Sequence, residues 1–224
     1  MPSASKKHLL VEGDNDRLFF ELCCERNARL SNIQVGPPSS YGSTDGKNNA
    51  IDLLPTLLAQ MNDGAVTHLA LVLDADAPKT DGLGFAKTWD VVTGHLYTAG
   101  YKQQTRPIKA TAGLIFEHSD GLPDVGLWIM PNNFDNGFLE DFIKKSLLGT
   151  EKSLFHLAAK AVDELPMPKK FKAHHLSKAE VATYMAWQAN PGQGMHGTIG
   201  GKLLDFNKGL GKQFIDWLNK VYKD

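Results

Sequence analysis

The stretch Leu69-Ala-Leu-Val-Leu-Asp-Ala-Asp-Ala77 runs five apolar residues without a break into two aspartates. A short apolar run bounded by polar turn signals reads as a strand buried on both faces of a parallel sheet. Asp74 and Asp76 then fall where that strand leaves the core, and ligands of open α/β sheets bind outside the carboxyl ends of the strands. In extended chain two carboxylates two residues apart point the same way. Neither is buried cheaply without a partner. A hard cation such as Mg²⁺, which takes one or two carboxylates together with water and phosphate, satisfies both. The plain alternative is a pair of solvated aspartates opening a loop.

The same pattern occurs earlier. His8-Leu-Leu-Val-Glu12 reads as a strand, Gly13 as its turn and Asp14 as the N-cap of a helix that carries Leu18, Phe19, Leu22 and Cys23 on one face. If the two strands are neighbours in a parallel sheet, Glu12, Asp74 and Asp76 converge at one edge, with Asp16 in the adjoining helical turn. Ile33–Val35 reads as a short strand, and 36–49 as a loop rich in Gly, Pro, Ser and Asn. Ile51, Leu54, Leu58 and Met61 have helical spacing, which Pro55 is expected to kink or to start. A loop through Asp81, Gly82 and Gly84 leads to a helix with Trp89, Val92 and Leu96, ending near Gly100. Gly113–Glu117 and Gly126–Met130 read as an antiparallel hairpin at the sheet edge. Asn136 is the expected cap of a helix through Phe138, Phe142 and Leu147, closed by Gly149, whose Glu140 and Asp141 suit the helix dipole.

Beyond Gly149 the pattern is helical only. Pro166–His175 is a basic loop, Ser177-Lys-Ala-Glu180 reads as a capping box, and Phe214, Ile215, Trp217, Leu218 and Val221 mark a last helix. Gly192-Gln-Gly-Met-His-Gly197 has the spacing of a dinucleotide fingerprint, but that motif must follow a strand and open a helix. Here a helix precedes it and Asn190-Pro191 marks a turn, so it reads as a glycine-rich loop. The expected organisation is an α/β domain over residues 1–149, a mainly parallel Rossmann-like sheet flanked by helices, with a helical C-terminal part over 150–224 packed on it.

The chain of 224 residues can bury a sizeable core, and its 42% hydrophobic and 22% charged content are those of a globular protein. No run reaches membrane-spanning length, and the polar start, Met1–His8, does not read as a secretory leader. Cys23 and Cys24 are adjacent in a helical pattern, without disulfide or zinc spacing, so buried thiols in a reducing cytoplasm are expected. The net charge of −1 is unevenly spread. Residues 1–141 carry 11 Lys+Arg against 18 Asp+Glu, and residues 142–224 carry 13 against 7. An acidic first part fits a carboxylate-rich metal site, and a basic second part suits phosphate or is simply a solvated surface.

Three elements together resemble a known pattern: Leu10-Val-Glu-Gly13 with Asp16, the strand ending in Asp74-Ala-Asp76, and Trp128-Ile-Met-Pro131 followed by Asn136-Gly-Phe-Leu-Glu-Asp141. They resemble the TOPRIM fold of type IA and II topoisomerases, bacterial primases, recombination mediators and the OLD nucleases. Within that fold the chain is most similar to a compact bacterial family of uncharacterised TOPRIM-like proteins related to the OLD nucleases. The likeness covers most of the chain, Lys178–Trp187 included. It implies Mg²⁺ or Mn²⁺ held by Glu12, Asp74 and Asp76, with Glu12 as metal ligand or acid/base, Asp16 and Glu140 as supporting acids, and Lys178 as a phosphate contact. Together with the positive balance after residue 141 it makes Lys169, Lys170, Lys172 and Lys178 candidate contacts to nucleic acid or a nucleotide. Ala77-Pro78-Lys79 departs from the topoisomerase form, which has glycine there. No tyrosine-bearing strand-passage domain and no ATPase module is read in these residues. ATP-coupled action would need another chain, and the reading leaves room for a partner protein or a homo-oligomer.

The expected activity is therefore metal-dependent phosphoryl transfer, above all phosphodiester cleavage by a nuclease. Two alternatives stand beside it. A strand ending in Asp-x-Asp also resembles the haloacid-dehalogenase phosphatases, with Asp74 as nucleophile and Asp76 as acid/base, although that motif lies on the first strand and continues with Thr. The other alternative is a non-enzymatic module that binds nucleic acid or a nucleotide.

Overall fold

The computed structural model describes residues 6–77 and 83–222. Of the expected loop through Asp81, Gly82 and Gly84, the first two lie outside the described residues and Gly84 already belongs to the helix that follows. The strands β1 (Lys7–Leu10), β2 (Ile33–Gly36), β3 (His68–Asp74), β4 (Leu114–Phe116) and β5 (Val125–Met130) form one sheet in the order β2-β1-β3-β5-β4. All neighbours are parallel except β4, which pairs antiparallel with β5 at the edge. This is the expected α/β class, with a mostly parallel Rossmann-like sheet between two layers of helices.

The alternation of β3 shows why its sequence is an unbroken apolar run. Leu69, Leu71 and Leu73 enter one core with α2 (Lys47–Asn62) and α3 (Gly84–Thr98). Ala70 and Val72 enter the other, with α1 (Asp14–Leu22), α4 (Leu139–Ser146), α5 (Lys152–Asp163), α6 (Leu176–Ala186) and α8 (Gly209–Tyr222). Both faces are covered, so no polar position is needed until the strand ends. On the second face Trp128 stands edge-on to Phe214 at 4.9 Å between ring centres, and Phe142 meets Phe214 at 5.4 Å. Gly126 of β5 lets α8 come this close, because a Cβ there would lie 2.6 Å from Val221 Cγ2. The same apolar cluster therefore joins residues on both sides of position 149.

Several local expectations gave way to tertiary contacts. β1 ends at Leu10, two residues before Glu12. Gly13, not Asp14, occupies the N-cap of α1. A six-residue π-helical turn, Cys23–Ala28, extends that helix and buries both cysteines. Residues 36–49 are not all loop, since Pro38–Tyr41 forms a 3-10 turn and α2 already starts at Lys47. Pro55 lies inside α2, where Ala50, Ile51, Leu54, Leu57, Leu58 and Met61 bury side chains on both sides of it. That burial outweighs the roughly 3 kcal/mol that an interior proline costs. Leu147, not Gly149, ends α4. Between α6 and α8 lies one further short helix, α7 (Gly197–Gly200). No described helix is long and apolar enough to cross a membrane.

Candidate active site

The parallel pairing of β1 with β3 carries the two chains out of the sheet side by side. Glu12 follows β1 and Asp74 ends β3. The backbone N–H of Asp74 donates to Glu12 Oε1 at 2.7 Å. Asp74 Oδ1 in turn accepts the N–H of Leu139, the first residue of α4, at 2.9 Å. A carboxylate at a helix N-terminus meets both an orphan donor and the positive end of the dipole. Asp74 thus caps a helix 65 residues away.

The late motif Asn136–Asp141 closes over this exit. Asp76 N–H donates to Gly137 O at 2.9 Å, and Phe138 N–H donates to Asp141 Oδ2 at 3.0 Å. Asn136 caps a helix as its type predicts, but a different one: its Oδ1 accepts the N–H of Phe85 in the first turn of α3 at 2.8 Å. The expected Ser177–Glu180 capping box is likewise not formed, because Ser177 lies inside α6 and both side chains turn to α4. Ser177 Oγ donates to Asp141 Oδ1 at 2.5 Å, and Glu180 pairs with Lys144 at 2.6 Å.

A cleft of about 490 Å³ opens at this edge, lined by Glu12, Asp16, Asp45, Asp74, Glu140 and Lys178 among others. Burial pushes the Glu12 carboxyl up to about 8, against the pull of the Lys47 ammonium. Burial also pushes Asp16 up to about 6, with the Glu140 charge adding to it. Asp74 stands well above the usual carboxylate range, first through burial and then through Glu12, Asp16 and Glu140. Burial raises Glu140 too, against Lys178. Four acids that disfavour one another's charge form the kind of site a cation would relieve.

Asp76 does not line this cleft, although its charge also helps to raise Glu12 and Asp74. The strand ends at Asp74, and φ of +65° at Asp76 breaks the extended geometry on which the joint orientation of the two aspartates rested. Its carboxylate accepts from Lys47 Nζ at 2.9 Å. Lys47 also donates to the carbonyls of Asp74 at 2.5 Å and Ala75 at 3.2 Å, so one ammonium ties down the whole strand exit. Sequence reasoning missed this residue. No local signal marked it, because residues 36–49 read as loop and its acceptors are distant in sequence. Asp45 and Asn15 in the cleft were also missed. Of the lysines proposed for phosphate, Lys178 lines the cleft, with its ammonium 4.9 Å from the Phe138 ring centre. Lys172 does not line it, and Lys169 pairs with Asp163 at 3.6 Å.

The donor set suits an oxygen-loving cation, but it is not a closed cage. Among the described residues no group of three or more His, Cys, Asp and Glu side chains stands ready to hold an ion. The hydrogen bonds described above use one oxygen each of Glu12 and Asp74, which leaves a second oxygen on each. Two carboxylates completed by water and phosphate are the usual protein share of a Mg²⁺ site.

A family model described as "Protein of unknown function (DUF3226)" matches residues 6–223. The chain belongs to that family. The match takes in every element around the cleft, from β1 to α8, so the acidic edge and the helices over it are parts of one family unit. No curated protein and no solved structure matches the chain.

Proposed function

We propose that this DUF3226 protein is a Mg²⁺- or Mn²⁺-dependent phosphoryl-transfer enzyme of TOPRIM-like type that cleaves phosphodiesters. The observation that carries the reading is the convergence of Glu12, Asp16, Asp74 and Glu140 on one cleft that also holds Lys178. Bound metal would neutralise phosphate oxygens and make a water nucleophilic at neutral pH. The chain's own residues do the rest. Glu12 and Asp74 supply the central ligands and are fixed by backbone N–H groups, so little rearrangement is left for the reaction. Asp16 and Glu140 flank them. Lys178 offsets that pair and offers an ammonium to a phosphate oxygen. Lys47 holds the strand exit in place from behind.

The phosphatase alternative needs Asp76 free beside Asp74 as acid/base. Asp76 Oδ2 is paired with Lys47, which weakens that role, and the metal reading stands without it on Glu12, Asp16, Asp74 and Glu140. The test is hydrolysis of bis-p-nitrophenyl phosphate and of labelled DNA and RNA with Mg²⁺ or Mn²⁺. Metal-dependent turnover that falls at least a hundredfold in Asp74→Asn and in Glu12→Gln is expected. Metal binding without turnover on any of these substrates would leave a binding module instead.

A further inference from the structure

The acidic cleft is one end of a longer depression. It shares Asn15, Glu140, Lys178 and Met195 with a second cavity of about 410 Å³ beside α6. That cavity shares Met185 and Gln193 with a third, of about 380 Å³, bounded by Leu22, Arg26 and His196. Glu140 is the last acid along this path. Beyond it the ionisable lining groups are Lys178, His196 and Arg26, interleaved with the amides of Asn15, Gln193 and Gln188 and the apolar side chains of Val181, Met185 and Met195.

The glycine-rich loop over 192–197 builds the floor. A Cβ on Gly197 would come within 2.8 Å of Gln193 and 2.9 Å of Met185, so the absence of a side chain there lets the loop pack directly against α6. Arg26 comes from the π-helical turn Cys23–Ala28, a rare distortion that is frequent at functional sites. The near end is thus predominantly acidic, with Lys178 at its margin, and the lining beyond Glu140 holds no acid.

We infer that this trough takes a single strand of nucleic acid, with one phosphate at the acidic cleft and the next ones passing Lys178 toward Arg26; the assignment rests on the phosphoryl-transfer reading. Separate recesses lined by methionines and amides suit unstacked bases, which a duplex keeps inside its stack. Contacts made mainly to phosphates give a strand affinity with little sequence preference. The track is supplied by α6 and the 192–197 loop on one side and by Asn15, Leu22 and Arg26 from α1 and its π-helical turn on the other, not by the basic segment 169–172.

The experiment is fluorescence anisotropy with labelled oligothymidylates and oligouridylates of one to six residues, in Ca²⁺, across a salt series. Affinity should rise at least tenfold from one residue to four. Arg26→Ala and Gln193→Ala should erase most of that gain, Arg26→Lys should keep it, and the salt slope of Arg26→Ala should fall by about 0.7. Affinity independent of length, a length gradient untouched by either alanine variant, or equal binding of a blunt duplex would overturn the inference. Hydrolysis of thymidine 5′-p-nitrophenyl phosphate by the wild type with Mn²⁺ reads the catalytic proposal separately. Length-dependent strand binding without that hydrolysis would sink the catalytic reading and leave the trough. Hydrolysis without a length gradient would do the reverse.

Discussion

The N–H of Asp74 lies 2.7 Å from Glu12 Oε1, so the last residue of the central strand is fastened to the acid that follows its neighbour. This one bond sets two carboxyl groups next to each other at the sheet edge, and Leu139 N–H fixes the second of them. The fold thus holds together charges that repel. Their pairing is costly to the bare protein and useful to a protein that binds a cation.

Stability without metal should fall as pH rises. Glu12 titrates at about 8 in the folded chain against an ordinary 4.5, and Asp16 at about 6 against 3.8. Between those values the folded state keeps a proton that the unfolded state has released. The stability present below the lower value is therefore lost as pH climbs to the upper one, at about 1.4 kcal/mol per pH unit for each group in its window. Urea denaturation in EDTA from pH 5 to 8.5 measures this. Glu12→Gln should flatten the part from 6 to 8. Mg²⁺ displaces protons, so its effect on the melting temperature should grow over the same range. A stability that rises with pH in EDTA would contradict the crowding.

Asp74 separates charge from hydrogen bonding. In Asp74→Asn the amide oxygen still accepts from Leu139 N–H while the charge is gone, so the metal-free protein at pH 8 should be as stable as the wild type or more so. Asp74→Ala leaves that donor without its acceptor and should cost about 1–3 kcal/mol. Both variants should lose the Mg²⁺-induced melting shift. Equal destabilisation by Asn and Ala would mean that the carboxylate itself, and not its acceptor oxygen, stabilises the N-terminus of α4.

Lys47 should be a structural residue with an electrostatic reach. Its side chain is only 9% exposed and donates to Asp74 O, Ala75 O and Asp76 Oδ2. Lys47→Met strands these acceptors and should destabilise the protein by about 2 kcal/mol or more. It also removes the charge that most opposes protonation of Glu12, so Glu12 should titrate higher still. Carbon-detected NMR of the Glu12 carboxyl across pH would show it. An unmoved Glu12 in a folded Lys47→Met variant would refute the coupling.

The sheet was legible because strands covered on both faces are written as unbroken apolar runs, as in β3 and β5. The convergence of Glu12 and Asp74 followed from parallel pairing alone. The turn of Asp76 toward Lys47 was not legible, because a left-handed aspartate carries no local mark. Lys47 was missed because its acceptors lie 27 to 29 residues away. Ser177 and Glu180 satisfy a local capping pattern, yet Asp141 and Lys144 on α4 offered partners that the pattern does not contain. Local rules proposed these groups correctly as hydrogen-bonding side chains and assigned them the wrong donors and acceptors.

The division at residue 149 is open to a direct test. Helix α8 places Phe214, Ile215, Trp217, Leu218 and Tyr222 in the core over one face of the sheet. Tyr222 OH donates to His8 O on β1 at 2.7 Å, and Trp217 Nε1 donates to Leu114 O on β4 at 3.0 Å, so one helix spans the sheet from an inner strand to its edge. Without it Trp128, Phe142 and Phe20 lose the rings of Phe214 and Trp217 that cover them, and burying a large apolar side chain is worth about 1.5–3 kcal/mol. Several such losses exceed what a domain of ordinary stability can spare. A fragment of residues 1–149 should therefore lack a cooperative urea transition and bind a hydrophobic dye. Gly126→Ala offers a milder version in the full chain, since its Cβ would meet Val221 and Trp217, and should cost about 1–3 kcal/mol. Cooperative unfolding and dispersed amide resonances from the fragment would show that the α/β part folds alone and that α8 only lies on it.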